Sequence, residues 1–96
     1  MPHLFDAIRS AVAAEQFALT DHADNRLRER NIELWQVIGE IDNAWLIAER
    51  PADLPNPSVE LQLSLPDGTP VKVIWAWVEI HRLALLVTVH YLDDWP

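Results

Sequence analysis

The stretch Ser58-Val59-Glu60-Leu61-Gln62-Leu63-Ser64-Leu65-Pro66-Asp67-Gly68-Thr69-Pro70-Val71-Lys72-Val73-Ile74-Trp75 decides the fold. Val59, Leu61, Leu63 and Leu65 alternate with Ser58, Glu60, Gln62 and Ser64, the period-two pattern of a half-buried strand. Pro66-Asp67-Gly68 closes a hairpin, because proline presets φ for the first turn position and glycine takes the left-handed bulge position. A three-residue loop of this kind sets Leu63 opposite Val71, Leu61 opposite Val73 and Val59 opposite Trp75. Gln62 then faces Lys72 on the other side of the sheet. A slip of one residue would put Lys72 among the leucines, so the pattern specifies its own register.

Working outward, Leu83 to Tyr91 reads as a last strand that is apolar on both faces, hence central or covered on both sides. The connection Glu79-Ile80-His81-Arg82 lacks glycine, asparagine and proline, and its turn type is not specified. Upstream, Trp45 to Ala48 forms a first strand, and the proline-rich 51–57 segment is a loop. The first half of the chain is helical in pattern. Pro2 suits a helix start, and Leu4, Phe5, Ile8 and Val12 carry that helix to about Glu15. Phe17-Ala18-Leu19 reads as a short apolar link. Thr20 and Asp21 are good N-caps for a second helix running to about Arg30, and Asp21 and Asp24 suit its positive end. Asn31 can cap a third helix with the apolar stripe Leu34, Val37, Ile38 and Ile41, inside which Gly39 costs about 1 kcal/mol. Asp93-Asp94-Trp95-Pro96 is a tail. The expectation is a single α+β domain over residues 1–96, its N-terminal helices packed on one face of a three- or four-stranded antiparallel sheet.

Composition narrows the function classes. Half of the 96 residues are hydrophobic, enough to offset ordering entropy by burial and to argue against disorder. There is no cysteine, which removes disulfides and thiol nucleophiles and fits a cytoplasmic protein. No basic-then-apolar leader opens the chain, and no apolar run approaches the ~20 residues of a membrane helix. The net charge is −8, and Lys72 is the only lysine. Such a surface repels phosphate backbones at long range, so binding to nucleic acid should be weak and have a shallow salt dependence. His3, His22, His81 and His90 show no ligand spacing, and two glycines cannot build a phosphate loop. No metal or cofactor is expected.

One helix carries candidate chemistry. His22, Arg26 and Arg30 stand at i, i+4 and i+8, along one slowly drifting face. A neutral imidazole can accept a proton, and the arginines can hold phosphate oxygens, which is a kit for metal-independent RNA cleavage. Against this, Glu29 lies within ion-pair reach of Arg26, and acids interleaved with arginines describe an ordinary solvated helix. Both readings stand at this point. Trp75 and Trp77 share one strand face and suit a core, whereas Trp35, Trp45 and Trp95 suit an exposed partner surface.

The pattern Thr20-Asp21-His22-Ala23, then Arg26, Arg30 and Ile32, resembles the family known as domain of unknown function 4258. The segment Leu86-Val87-Thr88-Val89-His90-Tyr91 is similar to that family's final apolar strand with its threonine. The resemblance implies a fold related to the RelE-like and barnase-like ribonucleases, among which are many toxins. It implies His22, Arg26, Arg30 and Thr88 as site residues. His90 stands where the family often has tyrosine two residues after the threonine, and joins them as a candidate. The function so implied is a metal-independent endoribonuclease of toxin type, or an inactive descendant, with RNA as substrate and an antitoxin or other protein as partner. The alternative is a non-enzymatic interaction module that uses a sheet edge or tryptophan surface, a second copy of the chain included.

Overall fold

The computed structural model describes residues 3–92. Pro2 as a helix start and the 93–96 tail lie outside the described residues. The elements in chain order are α1 (His3–Ala13), β1 (Phe17–Leu19), α2 (Asp21–Glu29), α3 (Leu34–Gly39), a 3-10 turn (Ile41–Asn43), β2 (Trp45–Arg50), β3 (Ser58–Ser64), β4 (Pro70–Val78), a second 3-10 turn (Glu79–His81) and β5 (Leu83–Tyr91). The class is α+β.

The β3–β4 hairpin has the register that its sequence specifies. Leu63 pairs with Val71, Leu61 with Val73, Val59 with Trp75, and Gln62 with Lys72. Gly68 sits at φ +90°, where a side chain would be strained. The turn is tied by Gly68 N–H donating to the Leu65 carbonyl at 2.7 Å and Leu65 N–H donating to the Thr69 carbonyl at 2.8 Å.

The sheet differs from the expected three or four antiparallel strands. It has five, in the order β1-β5-β4-β3-β2, and β1 runs parallel to β5. Phe17-Ala18-Leu19, which reads as a link, is that extra strand. Three residues are too few to show a period, and their partners Ala84, Leu85 and Leu86 lie far along the chain. β5 is therefore an interior strand, between β1 and β4. The helices are shorter than their patterns suggest. α1 stops at Ala13, and Glu15 at φ +61° turns the chain into β1. Asn31 does not cap α3. It takes φ +58° at the end of α2, a left-handed conformation that asparagine tolerates. The N-cap of α3 is Glu33, in a reciprocal capping box with Gln36. The turn into β5, for which the sequence offers no type, is made by Arg82 in the left-handed region.

All three helices contribute to one core on one side of the sheet. Phe5, Ile8 and Val12 of α1, Ala23 and Leu27 of α2, and Val37 of α3 pack with Val59, Leu61, Val73, Trp75, Leu86 and Val89. Lys72 and Glu60 occupy the opposite face, as the alternation demands. No helix among the described residues is long and apolar enough to cross a membrane.

Candidate functional site

α2 is fastened to the second half of β5 at both ends. At its start, the Thr20 hydroxyl accepts from the Ala23 backbone N–H at 3.0 Å and donates to the Val87 carbonyl at 3.0 Å. One side chain thus caps the helix and ties it to β5. At its end, the Tyr91 hydroxyl donates to the Arg30 carbonyl at 2.7 Å. α2 therefore lies along the part of β5 beyond its pairing with the short β1.

A bulge in β5 aims the side chains that α2 meets. Trp75 pairs with Leu86 and Ile74 with Thr88, so Val87 has no counterpart on β4. The extra residue switches parity: Ala84 and Leu86 face the core before the bulge, and Val89 faces it after. Thr88 and His90 consequently share the opposite face. A bulge beside a candidate site that redirects a side chain is a recurrent device.

His22, exposed on the first turn of α2, places its Nε2 3.1 Å from the Thr88 hydroxyl, and that hydroxyl lies 3.1 Å from His90 Nε2. Thr88 itself is buried. A hydroxyl has one proton to give, so when both rings are neutral it donates to one imidazole and accepts from the N–H of the other. The two rings thereby take opposite hydrogen-bonding roles, and when the donating ring is the imidazolium the pair holds one proton acceptor and one proton donor. The structure brings together His22, Thr88 and His90. Arg26 sits one helical turn farther along, bonded at 2.7 Å to Glu29, while its Nε is buried without an acceptor. Arg30 lies two turns from His22, about 12 Å of helix rise, with its guanidinium 5.7 Å from the centre of the Tyr91 ring.

Sequence reasoning missed Lys72 and Glu60 at this site. Lys72 is the register partner of His90, and its ammonium is 3.0 Å from Glu60, which also receives Arg50 at 2.9 Å. Burial pushes the Glu60 carboxyl up, but the hydrogen bonds and charges of Lys72 and Arg50 outweigh it and hold the group below its ordinary value. A depressed carboxyl adds stability that is fully present above its unfolded pKa and is lost as pH falls through its folded pKa. Acidification below about pH 4.3 should therefore destabilise the protein, and Glu60→Gln should flatten that acid limb. Urea midpoints measured across the acid range for both proteins check this. Among the described residues, no three His, Asp or Glu converge as a metal-ligand set would.

Fold and site together define a small α+β protein whose last strand, β5, carries a hydroxyl between two imidazoles, one supplied by an adjacent helix. The chain belongs to the family described as Domain of unknown function (DUF4258), whose model matches residues 19–90. The match starts at the end of β1 and stops at His90, so it contains every candidate residue named above. No curated protein and no solved structure matches the chain.

Proposed function

We propose that the protein is a metal-independent endoribonuclease of toxin type, related in fold to the RelE-like group. The observation that carries this reading is the His22–Thr88–His90 chain of hydrogen bonds. In the reaction one imidazole takes the proton of an RNA 2′-hydroxyl, whose oxygen attacks the adjacent phosphorus. The bond from phosphorus to the 5′-oxygen breaks, and the other ring, starting as the imidazolium, delivers its proton to that leaving oxygen and becomes neutral. The products are a 2′,3′-cyclic phosphate and a free 5′-hydroxyl. Arg26, one helical turn beyond His22, offsets charge gathering on the phosphoryl oxygens in this reading.

Incubation of single-stranded RNA with the protein and excess chelator tests the reading, with cyclic phosphate termini as the product to detect. Arg26→Ala should depress cleavage strongly. It should leave the melting temperature nearly unchanged, because the lost pair with Glu29 is an exposed i,i+3 contact worth about 0.3–0.5 kcal/mol. Absence of cyclic phosphate ends from wild-type protein contradicts the reading.

A second reading has its own support. β2 is an outer strand whose Trp45, Leu46 and Ile47 are exposed, and Trp35 on α3 is 63% exposed. These surfaces suit an antitoxin, another protein or a second copy of the chain. Light scattering that reports a stable dimer, in protein with no nuclease activity, favours this alternative.

A further inference from the structure

Two neighbouring carbonyls of β5 end on the same residue. The Thr20 backbone N–H donates to the Leu86 carbonyl at 3.0 Å, and the Thr20 hydroxyl donates to the Val87 carbonyl at 3.0 Å. In a regular strand successive carbonyls point to opposite sides, one toward each neighbouring strand. Val87 has no counterpart on β4, and a bulge of this kind disrupts the ladder and needs a donor from elsewhere. The Thr20 hydroxyl supplies it. The same oxygen accepts the Ala23 N–H at 3.0 Å, and the Thr20 carbonyl accepts the Asp24 N–H at 3.0 Å. Each polar group of Thr20 is therefore engaged, half of them by the bulge and half by the first turn of α2.

Thr20 stands two positions before His22, and Val87 directly precedes Thr88. The Thr20–Val87 and His22–Thr88 hydrogen bonds thus close a small circuit through two short stretches of chain. Burial of Val89 holds the parity of β5; the circuit sets the distance between helix and strand at the imidazole. The Tyr91 clamp acts at the other end of α2, where a helix pivoting about Thr20 moves most and His22 least. We propose that Thr20 is a positioning residue for the imidazole pair, its hydroxyl holding the first turn of α2 and the β5 bulge at the separation that the His22–Thr88 hydrogen bond requires. The proposal rests on the ribonuclease reading for its effect on rate. Misplacing a reacting group by about 1 Å costs as much as a hundredfold. Thr20 acts through His22 and Thr88 rather than on the substrate, so the loss falls on kcat and leaves KM nearly unchanged.

The test compares variants of the full chain. Thr20→Val keeps the shape and removes both roles of the hydroxyl. Thr20→Asp keeps an acceptor for the Ala23 N–H, as a good helix cap does, but has no proton for the Val87 carbonyl. Thr20→Ser keeps both roles. Glu33→Ala opens the capping box of α3 and controls for a cap lost away from the site. The imidazole nitrogen signals of His22 and His90 are recorded by NMR at alkaline pH, with kcat and KM on single-stranded RNA and thermal melts beside them. Thr20→Val and Thr20→Asp are expected to move both imidazole signals toward those of Thr88→Val and to lower kcat about ten- to a hundredfold. Thr20→Ser should restore both, and Glu33→Ala should lower only the melting temperature. Should Thr20→Val fail to fold, the capped Thr20→Asp decides. Wild-type imidazole signals in Thr20→Asp overturn the proposal, as does an equal shift in Glu33→Ala, and neither outcome touches cleavage by the wild-type protein. Shifted imidazoles in a protein that cleaves no RNA leave the positioning role standing and end the ribonuclease reading.

Discussion

His22→Ala is expected to cut RNA cleavage by about 10²–10⁴-fold, the usual contribution of a general acid or base, and to abolish any growth arrest caused by expression. The same change should barely move the melting temperature. His22 is exposed, and its hydrogen bond to Thr88 is replaced by water at a net cost of about 1 kcal/mol or less. Thr88→Val separates the chemical role from the structural one, since valine keeps the shape and removes the hydroxyl between the rings. Its activity should fall well below wild type, while Thr88→Ser should retain most of it. Cleavage rates from single-turnover assays, compared with thermal melts of the same four proteins, check the result. Equal activity in wild type and His22→Ala would remove the imidazole pair from any mechanism.

Trp75→Ala should be the most destabilising core substitution, at about 3–5 kcal/mol. Trp75 is fully buried and paired on its rungs with Val59 and Leu86, so truncation leaves a cavity in the shared core. One effect opposes this: the indole N–H is buried without a partner, and removing an unpaired donor returns part of the loss. The cavity term is the larger, so the sign is settled, and the value falls toward the lower end. Against a total stability of about 5–15 kcal/mol for a domain, the variant should unfold at much lower urea. Trp75→Phe keeps most of the volume and also deletes the orphan donor, so its midpoint should lie far closer to wild type. Urea midpoints for the three proteins decide between cavity and donor as the dominant effect.

The candidate site was legible in part. His22 and Arg26 stand out because a helix repeats every 3.6 residues, and Thr88 and His90 entered through the family pattern. That His22 and His90 would meet through Thr88 was not legible, because it depends on Val87 having no counterpart across β4. Nothing in Leu83-Ala84-Leu85-Leu86-Val87 marks which residue bulges, since all five are apolar. The same concealment hid Lys72, whose place beside His90 follows only once the bulge is known. Arg30 was singled out by spacing and by the family pattern, and the structure sets it against Tyr91 at the far end of α2.

By itself the sequence determined what local stereochemistry governs. The alternation in Val59–Leu65, with Pro66-Asp67-Gly68 between it and β4, admits one register without burying Lys72. Thr20 caps α2 because its hydroxyl reaches a backbone N–H three residues on. Tertiary structure alone decided the pairing of Phe17-Ala18-Leu19 with Ala84-Leu85-Leu86, the docking of α2 along β5, and the hydroxyl shared by two imidazoles. Each of these joins segments more than sixty residues apart. Such contacts form only when burial of the shared core outweighs the entropy of closing the chain between them, and no local pattern records that balance.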